Sequence, residues 1–177
     1  MAKKRSGTDA VQHLGELIED IKVAMMTTVE EDGALRSRPM WTHELHAFEG
    51  ELWFFTRQHS HKVDELEHDH HVNLSYAEPK RDQYVSLSGR CSMVKDREKM
   101  EKLWTPALKA WFPEGLEDPE LSLLRVRVEK AEYWDTPSSR MVQLAGFVKA
   151  SVTGRPADPG DNEKLTFHED GTTSAPH

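Results

Sequence analysis

Apolar residues between Thr8 and Asp20 recur at helical spacing. Val11, Leu14, Leu17, Ile18 and Ile21 fall on one face, and Thr8 or Asp9 can cap the start, which predicts an amphipathic helix. From Lys22 to Glu30 the period changes to two. Ala24, Met26 and Thr28 point one way and Met25, Thr27 and Val29 the other, the signature of a strand. Asp32-Gly33 follows, a strong hairpin signal when it separates two strand-like runs. The partner strand starts at Ala34 and runs into the forties, with Pro39 marking a bulge or an edge position.

Glu49-Gly50 is a second turn, and Glu51–Thr56 an aromatic-rich third strand. Ser60–Asp69 reads as a short helix with Val63 and Leu66 inward. Val72, Leu74 and Tyr76 alternate as a fourth strand, and Glu78–Asp82 is a polar loop. Gln83–Val94 alternates over a long strand, with Val85, Leu87, Cys91 and Met93 on one face and Ser86, Ser88 and Arg90 on the other. Gly89 relieves a tight bend in it. Asp96 caps a helix bearing Met100, Leu103 and Trp104, and Pro106 starts a shorter one ending near Pro113-Glu114-Gly115. Leu121–Trp134 is the last long strand. Pro137-Ser138-Ser139 starts a helix reaching about Lys149.

The strands succeed one another as hairpins and meanders, without regular strand–helix alternation. The expected fold is mainly β with peripheral α-helices, the antiparallel strands closed into a small barrel, which also removes exposed edges. Residues 1–7 read as a solvated tail, 8–150 as the domain, and 151–177, rich in Gly, Pro, Asp, Thr and Ser, as a C-terminal extension, mobile or packed on another surface.

The 177 residues suit one domain with a moderate core. Lys plus Arg is 23 against 31 Asp plus Glu, a net charge of −8, which argues against general nucleic-acid or membrane-surface binding. A single cysteine, Cys91, precludes an internal disulfide and fits a reducing cytoplasm. No apolar run is long enough to span a bilayer, and Lys3-Lys4-Arg5 has no apolar stretch behind it, so no secretory signal is expected.

Against that acidic background one basic corner stands out. Trp53–Lys62 reads as a buried strand turning at Ser60 into a helix, with Arg57, His61 and Lys62 around the turn. Free backbone N–H groups at a helix start favour a phosphate, and Thr56, Ser60 and Lys62 add hydroxyls and charge. Arg36 and Arg38, two apart on the neighbouring strand, share a face, and arginine forks match phosphate oxygens. The plainer alternative makes them outward residues paired with surface carboxylates. Trp41, Trp53, Phe54 and Phe55 lie close by in sequence. Each is either core or a partner for an aromatic ligand, and Trp134 is placed at a rim.

The ten histidines, His43, His46, His59, His61, His68, His70 and His71 among them, form no recognised metal-ligand motif. A heme- or metal-binding module is therefore the alternative from another class. Cys91 reads as a buried thiol. No Gly-x-Ser-x-Gly, Walker-type or Gly-x-Gly-x-x-Gly loop is present, so a nucleotide-like ligand would have to bind without them.

Taken in order, Met25-Met26-Thr27-Thr28-Val29, Asp32-Gly33, Arg36-Ser37-Arg38-Pro39-Met40, Leu52-Trp53-Phe54-Phe55-Thr56, Ser60-His61-Lys62, Val72-Asn73-Leu74, Val85-Ser86-Leu87-Ser88-Gly89 and Glu132-Tyr133-Trp134-Asp135 resemble the general stress protein branch of the pyridoxamine 5′-phosphate oxidase-like family. The resemblance runs over about residues 8–165. It implies an FMN-binding split β-barrel and a cytoplasmic homodimer with flavin sites at the interface. FAD or a deazaflavin remains open as the cofactor.

Carried over by motif, Arg38, Pro39 and Met40 match the strand that lines the flavin, and Phe55 and Thr56 the aromatic–threonine pair beside it. Ser60, His61 and Lys62 match the Ser-Arg-Lys segment that holds the phosphate. His61 stands where that motif has arginine, which weakens the contact or makes it pH-sensitive. Trp134 resembles a residue reaching the flavin from the partner subunit. Gln83-Tyr84-Val85-Ser86 replaces the Arg-Gln-Val-Arg-like strand of true pyridoxamine phosphate oxidases, and Gly171-Thr172-Thr173-Ser174 replaces their arginine-rich end. Vitamin B6 oxidation is therefore not expected. The resemblance implies a flavin-dependent oxidoreductase on an unidentified small molecule, or a flavin carrier or redox sensor without turnover.

Overall fold

The computed structural model describes residues 7–43, 48–60, 70–135, 161–168, 170 and 172–174. Helix α1 (Gly7–Ile21) comes first, then strands β1 (Val23–Val29), β2 (Leu35–Trp41), β3 (Glu51–Arg57), β4 (His71–Glu78) and β5 (Gln83–Val94). Helix α2 (Arg97–Leu103) and two 3-10 helices (Pro106–Ala110 and Gly115–Glu117) separate these from β6 (Leu121–Asp135), β7 (Asp161–Phe167) and β8 (Thr173–Ser174). The helices expected at Ser60–Asp69 and from Pro137 to Lys149 lie outside the described residues.

Helix α1 forms where the 3.6-residue pattern predicts it. Ala10, Leu14, Leu17 and Ile18 are buried against the sheet, each large side chain contributing about 1.5–3 kcal/mol. It stops at Lys22, which takes a left-handed backbone (φ 68°) while its N–H bonds the Ile18 carbonyl, the role glycine usually fills. The chain reverses directly into β1. The β1–β2 hairpin follows its turn signal: Gly33 has φ 84°, and Glu30 and Ala34 close the loop.

Every strand pairing is antiparallel, in the order β2-β1-β4-β5-β6-β7-β8, with β3 also on β6. The sheet does not close on itself, which makes the architecture a split barrel. The split is visible in β6. Its first half, Leu121–Arg127, pairs with β3, and its second half, Lys130–Asp135, pairs with β7, while β5 runs along its other edge throughout. The change of partner coincides with a bulge: Ser88 faces Lys130 but Gly89 faces Val128, leaving Glu129 unpaired. A Cβ on Gly89 would stand 2.0 Å from the Arg127 carbonyl oxygen, so only glycine permits the approach.

β3 and the first half of β6 have cores on both faces. Leu52, Phe54, Leu124 and Val126 join the main core with Leu14, Met26, Leu74, Leu87 and Tyr133. Phe55, Leu121 and Leu123 face a second core built with Met100, Leu108 and Phe112. Asp96 caps α2 by accepting from the Lys99 N–H, as expected.

Two expectations need correction. Leu121–Trp134 was expected to be the last long strand, yet Asp161–Phe167 is a further full strand on β6. Only Leu165 of β7 is buried and Phe167 half-buried, so the strand carries too few apolar residues to show a period. Met93 lies on the expected face of β5, opposite fully buried Leu124, and is itself 40% exposed. The helix after Pro106 is shorter than expected and of 3-10 type, and Trp104 lies just past the end of α2.

Gly89→Ala is expected to lower stability by at least about 3 kcal/mol in urea unfolding, since it forces the β5–β6 register apart, whereas Gly33→Ala, with open space around it, should cost about 1 kcal/mol through its φ alone.

Candidate functional site

The candidate corner is built from an edge strand and the far end of β3. On β2 alternation separates two roles. Met40 is buried beside Ala24, Arg38 is half-buried at the level of Met26, and Arg36, opposite Thr28, continues the same face. Arg36 is exposed and holds Glu30 at 2.9 Å, which is the plainer of its two readings. Arg38 has its Nη1 shut off from solvent, an expensive position for a guanidinium. Pro39 and Trp41 point to the outer face, where Pro39 meets Met25, and β2 is the edge expected of a proline-bearing strand.

At the end of β3, Thr56 is 2% exposed and its Oγ1 lies 3.4 Å from the Ser60 hydroxyl. These are the two hydroxyls singled out in the sequence, and the turn after β3 brings them together. Arg57 instead donates to the Trp111 carbonyl oxygen at 3.3 Å and lies over Phe112, so it fastens the loop. His61 and Lys62 lie outside the described residues.

Phe55 belongs to the second core, edge-on to Trp104 at 5.6 Å. It also meets His43 edge-on at 5.0 Å, a contact that sequence reasoning missed. His43 follows β2, so this pair ties the exit of β2 to the end of β3. Burial lowers the His43 pKa below its ordinary 6.5, keeping the ring neutral near pH 7. A cavity of about 330 Å³ opens beside it, with Trp41 and Trp111 both largely exposed at its walls. Thr42 is buried and hydrogen-bonded to the Tyr76 hydroxyl at 2.8 Å, which anchors the segment leaving β2.

Trp134 stands apart from this corner, on the outer face of β6. Its cross-strand neighbours are Tyr84 and Asn162. Tyr84, Trp134, Met25, Val23 and Trp41 are all exposed on that outer face. One subunit brings Thr56 and Ser60 together at the end of β3, links Phe55 to His43 just past β2, and leaves Trp134 on the outer surface.

Three other described histidines take separate partners. His13 meets Asp135 at 2.8 Å, His59 meets Glu120, and His168 meets Ser174 at 2.8 Å. Among the described residues no group of three or more His, Cys, Asp or Glu could hold a metal ion. Burial pushes the Cys91 thiol up to about 12, which leaves it unreactive at neutral pH.

The family model described as pyridoxamine 5′-phosphate oxidase like matches residues 9–158. The chain belongs to the pyridoxamine 5′-phosphate oxidase-like family. It is 31% identical over 182 residues to protein bli-3 of Neurospora crassa, a match covering 94% of this chain and 87% of that protein. It is 29% identical over 141 residues to general stress protein 26 of Bacillus subtilis, covering 77% and 96%. Among solved structures, a general stress protein 26 from Jannaschia superposes with a TM-score of 0.74 at 23% identity, over 90% of this chain and 99% of that one. The general stress FMN/FAD binding protein from Xanthomonas citri gives 0.65 at 26% identity, over 75% and 92%. The two solved relatives superpose on the architecture described above, and the resemblance read from ordered short motifs holds. Among the described residues no helix is long and apolar enough to cross a membrane.

The sign of the His43 effect on stability follows from burial. The unfolded chain takes up a proton near pH 6.5 while folded His43 resists it, so below that pH the unfolded state binds more protons. Stability contributed by this site should fall as pH drops through 6.5, and level off once the folded ring also protonates. In unfolding curves between pH 7.5 and about 5, His43→Gln is expected to show a shallower acid-side slope than the wild type.

Proposed function

We propose that this protein binds FMN at the β2–β3 corner and acts as a flavin-dependent oxidoreductase on a small molecule. The observation that carries the reading is the buried Thr56 hydroxyl meeting Ser60 at the end of β3, on the same chain as a half-buried Arg38. Hydroxyls and a guanidinium, in a chain of net charge −8, make a locally phosphate-friendly place without any glycine-rich loop. His61 and Lys62 would complete the phosphate contacts from the following segment. The likeness to a protein described as FMN/FAD binding supports the same cofactor class.

When bound, the flavin would supply the redox chemistry, and the chain's part would be to hold it, orient it and exclude water. Arg38 offsets phosphate charge from a site already partly removed from solvent, where each hydrogen bond to a charged group is worth about 1.5–3 kcal/mol. Thr56 and Ser60 would donate hydrogen bonds to phosphate oxygens. Pro39, outward, and Met40, set in the core, would fix the strand beside the ring. Phe55, locked between His43 and Trp104, keeps Thr56 in place.

The outer face supports a homodimer. Val23, Met25, Trp41, Tyr84 and Trp134 are exposed together on one side of the sheet, more apolar surface than a scattered set would present. A second copy covering it would bring Trp134 toward the flavin bound by its neighbour. The buried single thiol suits residence in the cytoplasm.

Purified protein is expected to carry, or to take up in fluorescence titration, one FMN per chain. Arg38→Ala should weaken FMN binding at least about tenfold, equivalent to about 1.4 kcal/mol. The double variant Thr56→Val, Ser60→Ala should weaken it further, with CD spectra unchanged. Failure to bind FMN, FAD or a deazaflavin would sink the reading. Flavin binding without reduction by any nicotinamide donor would leave a carrier or redox sensor. Pyridoxamine and pyridoxine phosphates are expected not to be oxidised, as an assay for pyridoxal phosphate would show.

A further inference from the structure

Where the chain leaves β2, alternation continues for two more residues and divides them between the two cores. Thr42 turns inward and bonds the hydroxyl of Tyr76, a member of the barrel core, at 2.8 Å. His43 turns the other way and meets Phe55 of the second core edge-on at 5.0 Å. Trp41, two residues before it, lies on the same side as His43. The 3-10 helix Pro106–Ala110 joins the second core through Leu108, and Trp111 follows it directly. Trp41, His43, Leu108 and Trp111 thus come to line one cavity of about 330 Å³.

Two features of its walls are not explained by the fold. Trp41 is 51% and Trp111 60% exposed. Large apolar rings left open together at one cavity mark a place for a flat apolar ligand. Trp41 is shared with the outer apolar face, whereas Trp111 belongs to the cavity and not to that face. The second feature is His43, which is only 8% exposed. Among the described residues its ring makes no hydrogen bond or ion pair, and its contact is the edge of Phe55. Burial alone lowers its pKa, so near pH 7 the ring is neutral, with one nitrogen that donates and one that accepts. Buried polar groups are seldom left without a partner. This one lines the cavity, where a bound molecule can supply the partner.

Thr105 adds a hydroxyl to the lining. It starts the 3-10 helix, yet its side chain caps no backbone N–H. The charges are balanced: exposed Glu19 and Lys22 bring one of each sign. The lining therefore favours neither an anion nor a cation. A cavity of this volume, with aromatic walls and a few polar groups, suits a molecule of one or two fused rings.

We propose that this cavity binds a small uncharged phenol of one or two fused rings, with the ring against Trp41 and Trp111 and the hydroxyl donating to the unprotonated nitrogen of His43. Thr105 offers that hydroxyl a second partner. The site does not rest on the flavin reading. It uses none of Arg38, Thr56 and Ser60, and it touches their corner through the His43–Phe55 contact.

Isothermal titration of the full chain, saturated with FMN where it binds, with 2-naphthol, naphthalene, decahydro-2-naphthol and 2-naphthyl phosphate tests this. 2-Naphthol is expected to bind below millimolar concentration. Naphthalene, which lacks the hydroxyl, and decahydro-2-naphthol, which lacks the flat ring, should each bind at least about fivefold more weakly. The phosphate ester should bind no more tightly than 2-naphthol. Trp111→Ala should weaken 2-naphthol at least about tenfold. Trp111 is exposed, so this variant should keep the wild-type CD spectrum and melting temperature. His43→Phe keeps a ring against Phe55. It should bring 2-naphthol down to the affinity of naphthalene and leave naphthalene binding unchanged. Arg38→Ala should leave 2-naphthol binding unchanged, which separates this site from the FMN corner. The proposal is overturned if 2-naphthol gives no binding at millimolar concentration, or if naphthalene or decahydro-2-naphthol binds as tightly. It is equally overturned if the phosphate ester binds more tightly, if Trp111→Ala and His43→Phe both bind 2-naphthol like the wild type, or if Arg38→Ala abolishes the binding.

Discussion

The contact on which the rest of this structure depends is the close approach of β5 and β6 at Gly89. A backbone carbonyl occupies the place of a side chain there, and the one-residue bulge that results leaves Glu129 without a partner. A bulge bends its strand and increases its twist. In β6 that bend lets a single 15-residue strand serve two neighbours on the same edge, β3 before it and β7 after it. Without it, β3 and β7 would compete for one continuous edge. The bulge lies beside the start of β3, where Glu51 faces Arg127, and it brings Arg90 and Arg127 opposite each other.

Placing β3 against only the first half of β6 also explains why the domain has two cores. A strand packed on one side would alternate apolar and polar residues. β3 instead reads Leu52-Trp53-Phe54-Phe55 because Leu52 and Phe54 face the barrel interior while Phe55, with Trp53 partly covered, faces the layer from α2 and the 3-10 helices. Phe55 is thus fixed by Trp104, Phe112 and His43, none of them in the barrel core. The rigidity of the candidate phosphate corner derives from this second layer. His43 gives it a chemical sensitivity that an all-apolar contact would lack, because protonation of a buried imidazole is penalised.

What the sequence made legible was whatever is decided locally. The β1–β2 hairpin was readable because Asp32-Gly33 supplies its turn, and the helix α1 because its period is clean over four turns. Gly89 announced a bend, and the Thr56–Ser60 pair was foreseeable because four residues separate the two hydroxyls across one turn. What stayed hidden was whatever register creates. β7 has one buried and one half-buried apolar side chain in seven residues, so its sequence looks like a tail, and only the vacant edge of β6 makes it a strand. The His43–Phe55 contact joins a residue just past β2 to one on β3, and β2 and β3 do not pair with each other. Arg125 and Arg127 were visible as alternation, but their meeting with Arg90 follows only from the bulge.

The two arginines on β2 sit in different surroundings. An edge strand needs protection against pairing with another chain, and proline and charged side chains provide it. Pro39 removes a donor from the edge, and Arg36, exposed and paired with Glu30, supplies charge at modest energetic worth. Arg38 is two residues on and on the same face, but it sits level with fully buried Met26 rather than near the hairpin turn. Its guanidinium has lost solvent that edge protection alone would not require it to lose. The desolvation that makes such a residue costly in the folded protein also makes its hydrogen bonds to an anion stronger than those of a surface arginine. Strand alternation thus puts an exposed, edge-guarding arginine and a half-buried one on the same face one pleat apart, and it is depth in the sheet, rather than residue type, that separates them.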